Sequence, residues 1–141
     1  MNKDIVIDTN VFISALRSKR GASYRLLMEI GEGLFDINIS VPLILEYEGV
    51  AKRLIGETKL TSGDIDDIID YICSIAKHWK VFYLWRPFLR DPKDDMVLEL
   101  AVASNSDFIV TYNKTDFKGS EDFGIKALTP KEFLKKIGGL S

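Results

Sequence analysis

Short aliphatic runs alternate with longer amphipathic stretches along the whole chain. The aliphatic runs that read as strands are Asp4–Asp8, Phe35–Val41, Val81–Trp85, Phe108–Thr111 and a short Ile125–Leu128. Around them, apolar positions recur at helical spacing over Val11–Leu16, Ala22–Gly31, Leu43–Ile55, Asp64–Lys77, Lys93–Ser104 and Pro130–Ile137. Pro42 and Pro130 stand where a first-turn proline is tolerated, and Thr129 ahead of Pro130 reads as an N-cap. Thr61, Ser62 and Asp64 offer capping groups before another helix. Strands that are apolar almost throughout, separated by helices, predict a mostly parallel sheet covered on both faces. The expected fold class is therefore α/β, a three-layer α/β/α domain around about five strands, with Asp4–Asp8 in the centre.

Composition narrows this little. A chain of 141 residues is the size of one domain, so residues 1–141 are read as a single unit. With 46% hydrophobic and 28% charged residues it has the balance of an ordinary protein with a sizeable core. No apolar run approaches the roughly 18 residues that a membrane span needs. The first residues lack the features of a secretory signal, so the expected location is cytoplasmic. One cysteine, Cys73, excludes an internal disulfide framework, and one histidine, His78, excludes a His-rich zinc site. The aromatic cluster Trp79, Phe82, Tyr83, Trp85 and Phe88 reads as packing.

The net charge is −2 and the isoelectric point near 5.4. Simple basic nucleic-acid-binding modules, with isoelectric points above about 9, are thereby disfavoured. An enzyme that handles phosphates through metal ions is not, because its site must itself be acidic.

Ligands of open α/β sheets bind beyond the carboxyl ends of the strands. Asp8 ends the first strand there and is followed directly by Thr9 and Asn10. The helix after the second strand carries Glu46 in its expected first turn. The helix near Lys93 carries Asp94 and Asp95 behind Arg90-Asp91-Pro92. Thr111 ends a later strand and leads into Tyr112, Asn113, Lys114, Thr115 and Asp116. Acids in a first turn complement the helix dipole and need no other role. Four segments delivering acids to one end of a sheet is a stronger pattern, since converging carboxylates repel unless a cation neutralises them. Oxygen-only ligands suit Mg²⁺ or Mn²⁺, and such ions activate water for attack on phosphorus.

Four pieces of the chain, in order, are IVIDTNVFISAL, SVPLILEYEGVAKR, RDPKDDMVLELAVASNSDFIVTYNKTDF and LTPKEFL. Together they resemble the PIN domain family, small metal-dependent ribonucleases that include toxins of toxin–antitoxin pairs, and the third and fourth pieces look most like the toxin branch. The resemblance implies a PIN-like fold and a Mg²⁺- or Mn²⁺-dependent ribonuclease acting on single-stranded RNA. It also implies an antitoxin partner, a homodimer and no membrane. Carried over, Asp8 is the first metal-binding acid, Glu46 the second, and Asp94 or Asp95 the third. Many relatives have an Asp where this chain has Asn113, and Asp116 follows three residues later, so either could complete the site. Thr9, Asn10 and Thr111 would orient carboxylates or substrate. RNA choice would rest on groove shape and on cations such as Arg17, Lys19, Arg20, Lys52 and Arg53.

Three rivals share parts of the pattern. A phosphoacceptor receiver domain wants an acidic pair after its first strand, where Thr9 and Asn10 stand, and an acceptor Asp where Arg86-Pro87 follows the expected third strand. A haloacid-dehalogenase-like phosphohydrolase wants a second Asp at the position of Asn10. A protein-binding module with a weakened metal site is the third, and Asn113 is its support.

Overall fold

Ile5 and Val6 have no exposed surface and Ile7 has very little. A run of three such residues requires strand neighbours on both edges and cover on both faces. The structure, a computed structural model, describes residues 2–81, 89 and 91–138, and these form the expected arrangement.

The elements follow in the order β1 (Lys3–Ile7), α1 (Thr9–Arg17), α2 (Ala22–Glu29), β2 (Phe35–Ile39), α3 (Val41–Arg53), α4 (Ser62–Ile75), β3 (Lys77–His78), α5 (Pro92–Ala103), β4 (Phe108–Val110), β5 (Lys126–Leu128) and α6 (Pro130–Lys136). Two short 3-10 turns, Lys114–Phe117 and Ser120–Phe123, bridge β4 and β5. The five strands run parallel in the order β3-β2-β1-β4-β5, which puts β1 at the centre. Successive strands are added on one side of β1 up to β3 and on the other side from β4 onward. The β1–β4 seam is therefore the point where strand order reverses, the usual place for a ligand crevice in such sheets.

Both faces are covered. Ile7, Ile37 and Ile39 share one apolar space with Val11, Phe12, Leu26, Tyr47 and Ile72 from α1 to α4. On that helical side α2 packs against α6, whose Phe133 meets the rings of Phe35 and Phe108 edge-on at 5.3 and 5.8 Å. Helix α5 lies against β1, β2 and β4 and buries Val97, Leu98, Leu100 and Ala101. A helix covered this thoroughly reads as apolar nearly all round.

Local chemistry set the element ends, and here the structure departs from the expected boundaries. Ser40, expected inside the second strand, is the N-cap of α3 and accepts the Leu43 amide at 3.3 Å. The Thr61–Asp64 capping box starts α4 two residues early, and the extended backbone of Ala76 stops it at Ile75. Lys77, expected as the last residue of that helix, instead pairs with β2 opposite Asn38, with His78 opposite Ile39. The expected strand Val81–Trp85 lies, apart from Val81, outside the described residues. Among the described residues no helix is long and apolar enough to cross a membrane.

Asn38 alternates to the face opposite Ile37 and Ile39. Its amide nitrogen donates to Ile5 O at 3.2 Å and lies 3.3 Å from both Asp4 Oδ1 and Ser106 Oγ. Its Oδ1 accepts the Trp79 indole N–H at 2.7 Å. One buried amide thus ties β2 to β1, to the turn before β4 and to the segment after β3. Asn38→Ala should lower stability by about 1–3 kcal/mol, because it strands buried polar partners. Urea unfolding measures this, and an unchanged midpoint would show that the network is dispensable.

Candidate active site at the carboxyl end of the sheet

Asp8 is placed by its neighbours on both sides. The apolar β1 strand carries it to the β1–β4 seam, where its amide donates to Val110 O at 2.9 Å. Its backbone then turns into α1 as the N-cap, and Oδ1 accepts the Thr9 amide at 2.8 Å. Oδ2 accepts Thr111 Oγ1–H at 2.7 Å. Thr111 is fully buried and its hydroxyl oxygen also accepts the Asn113 amide at 3.0 Å, so one side chain orients Asp8 and the chain after β4. Asn10 Oδ1 lies 3.4 Å from the Tyr112 amide and accepts from it. Asp8 is only 9% exposed. Burial pushes its carboxyl pKa up, the Thr111 and Thr9 hydrogen bonds pull it back, and the charges of Asp116 and Glu46 push it up again.

Glu46 reaches the site from α3. Because Ser40 caps that helix, Glu46 stands in its second turn rather than the expected first, so service to the helix dipole does not account for it. Next to it, buried Tyr47 donates its hydroxyl to Ile7 O and stacks on Phe12 at 4.7 Å. Burial, and then the charge of Asp8, raise the Tyr47 pKa well above its ordinary value. Tyr47 therefore bolts α3 to the end of β1 as a neutral phenol and thereby fixes the height of Glu46.

The two candidates on α5 part company. Asp91 caps the helix through the Lys93 amide at 2.9 Å, and Asp94 and Asp95 occupy the first turn. Asp95 has no exposed surface, and its Oδ1 accepts the Leu89 amide at 2.7 Å, inside the protein. Asp94 is partly buried and faces the other acids. Its pKa is raised from 3.8 to about 7, first by burial and then by Asp8, Asp116, Asp91 and Asp95 in that order. Asp116 arrives on the first 3-10 turn, exposed at the rim, and its charge acts on both Asp8 and Asp94. Asn113, also exposed, precedes that turn without a side-chain cap bond.

Four segments thus bring acids to this end of the sheet, where Asp8 feels the charges of Asp116 and Glu46, and Asp94 those of Asp8 and Asp116. A positive charge enters there through tertiary structure: Lys93 Nζ lies 3.7 Å from Glu46 Oε1, a partly exposed pair of small energetic weight. Lys93 and Tyr47 were not among the expected site residues. Their adjacency to Asp94 and Glu46 was visible in the sequence, but their orientation was not. Among the described residues, no three or more His, Cys, Asp or Glu side chains are gathered closely enough to hold a metal ion as they stand. The donor set nevertheless fits a hard divalent cation, being all oxygen and mutually repulsive.

Compared with models of known families, the chain matches the one described as PIN domain over residues 4–115. None of the curated proteins matches it.

The raised Asp94 pKa has a definite sign in the stability of the metal-free protein. The folded state holds a proton on Asp94 up to about pH 7, while the unfolded chain releases it near 3.8. The contribution of Asp94 to folding stability is therefore greatest below the lower value and is lost as pH rises through the upper one. In EDTA, Asp94→Asn should melt roughly 2–5 °C above wild type at pH 8 and equal it near pH 4. Parallel melting curves across that range would remove Asp94 from the cluster.

Proposed function

This chain belongs to the PIN domain family, with its nuclease-type fold, and we propose that it is a divalent-metal-dependent endoribonuclease that hydrolyses single-stranded RNA. The observation that carries the proposal is the placing of Asp8 at the β1–β4 seam, held by Thr111 and Thr9, where the charges of Glu46, Asp94 and Asp116 reach it. Acids held against their own charge are relieved either by a proton or by a cation that joins them, and a cation is the one that serves chemistry on a phosphate.

Asp8 and Asp94 are the groups that would hold Mg²⁺ or Mn²⁺, with Asp116 completing the set from the rim. Asp95 serves the entry to α5 instead. When bound, such an ion supplies Lewis-acid polarisation of the phosphate and charge neutralisation at the leaving oxygen. The protein's own residues do the rest. Thr111 and Thr9 hold the Asp8 carboxylate in one orientation. Glu46 positions the attacking water and takes its proton as the water oxygen bonds to phosphorus. The bond from phosphorus to one bridging oxygen breaks, and that oxygen is protonated from solvent. Lys93 faces the Glu46 carboxylate before substrate arrives.

The likeness of the RDPKDD–TYNKTDF and LTPKEFL pieces to the toxin branch supports a role as the toxin of a type II toxin–antitoxin pair. An antitoxin protein partner, a homodimer and a cytoplasmic location belong to that same proposal. A second reading, a protein-binding module with a weak metal site, has support of its own. Asn113 stands where many relatives have an acid, and among the described residues the carboxylates are not drawn into a cage.

Cleavage of single-stranded RNA, with and without EDTA, separates the two. Loss of a residue that merely supports a metal ligand costs about 10–100-fold. Asp8→Asn removes a ligand charge while keeping its shape, so its loss should exceed 100-fold, and EDTA should abolish the wild-type activity. Mn²⁺ at about 100 times its Kd should stabilise the wild type by about 2.7 kcal/mol, and Asp8→Asn should lose that gain. Stabilisation by Mn²⁺ without cleavage under any divalent ion would favour the binding module.

A further inference from the structure

Tyr112 directly follows Thr111, the residue that holds Asp8, yet as a residue it is 45% exposed. It is not a loose surface side chain. Its hydroxyl shares a hydrogen bond with that of Ser23, which is buried in the first turn of α2, and its amide is held by Asn10 Oδ1 at the start of α1. The side chain is thus anchored at both ends, at the hydroxyl and at the backbone, with surface open to solvent one residue after Thr111.

We propose that Tyr112 is a base-stacking platform that positions one nucleotide of single-stranded RNA next to the scissile phosphate. The proposal rests on the nuclease reading of the acid site and adds the residue that orients its substrate. An aromatic ring fixed in advance loses little conformational freedom on binding, so the contact is retained as affinity. Stacking also accepts any base, because every base has a π-face. Asn10, which holds the Tyr112 amide, also lines a cleft that contains Glu46 and extends along α1 past Ser14 to Arg17. A strand whose base rests on Tyr112 would pass Asn10 into this cleft, toward Glu46 and Arg17. The Arg17–Glu57 pair, 3.6 Å apart with both side chains more than half exposed, is weak enough to yield to a phosphate of that strand.

The test is equilibrium binding of a fluorescein-labelled single-stranded RNA in Mg²⁺, with every protein carrying Asp94→Asn so that the RNA survives. A series of the same RNA carries one abasic nucleotide moved stepwise along it. One abasic position should weaken binding by about tenfold, and Tyr112→Ala should bind intact RNA about tenfold less tightly and ignore that position. Tyr112→Phe, which keeps the ring and loses the Ser23 bond, should restore most of the affinity and the abasic sensitivity. Tyr112→Trp should bind like its parent, with its added indole fluorescence quenched by RNA. In the otherwise wild-type enzyme, Tyr112→Ala should raise KM and leave kcat close to its parent's value. The platform is overturned if no abasic position matters, or if Tyr112→Ala binds intact RNA like its parent. Because the abasic series needs no change at Tyr112, misfolding of Tyr112→Ala does not blunt it. If wild type cleaves no RNA but the abasic position still matters, the nuclease reading fails and the platform stands. If wild type cleaves and no abasic position matters, the platform alone falls.

Discussion

The hydrogen bond from Thr111 Oγ1 to Asp8 Oδ2 is the contact on which the candidate site depends. It joins residues 103 positions apart, and it forms because β1 and β4 are adjacent with Ile7 opposite Val110. A slip of one residue in that register would turn the side chains of one strand to the opposite face and separate the pair. The seam itself is lined by the fully buried Ile5, Val6, Ile109 and Val110. Burying a carboxylate is unfavourable, and the bonds from Thr111 and Thr9 offset part of that cost.

Around this fixed acid the others are placed so that they work against stability. Asp94 is driven up to about 7 by burial and by like charge, and Asp8 is raised by Asp116 and Glu46 after burial. Stability comes from elsewhere: the apolar strands, α5 laid across the sheet, and the Asn38 network on the same side. The division is physically sensible. A rigid sheet resists the repulsion at its carboxyl end, so the acids stay where the fold puts them instead of spreading apart. Tyr47 and Lys93 serve the same end for Glu46, the first by fixing its helix and the second by facing its carboxylate.

Much of the architecture was legible from the chain alone. Apolar strands feeding into amphipathic helices implied a parallel sheet with β1 central, and the sheet order agrees. The misplaced boundaries share one cause. Ser40 and Thr61 act as caps through hydrogen bonds three residues away, whereas hydrophobic periodicity averages over a longer window. Lys77 and His78 form a strand although neither is apolar, because β2 offers them an edge and Lys77 reaches Asp4 Oδ1 at 3.0 Å. No local pattern announces a strand that exists only through its neighbour.

The sequence by itself determined the alternation of elements, the acid at the end of the central strand, and the delivery of further acids to that end of the sheet. These follow from short-range rules: side-chain periodicity, capping chemistry and the position of a polar residue in an apolar run. Tertiary structure alone decided which carboxylates meet. Asp94 and Asp95 differ by one position, about 100° around a helix, and only the seating of α5 turns the first toward Asp8 and the second to the Leu89 amide. It alone set Glu46 beside Lys93 and tied Tyr112 to Ser23, 89 residues away. Charge repulsion and hydrogen bonding act over a few ångströms of space, and strand pairing and helix packing decide which distant residues share them.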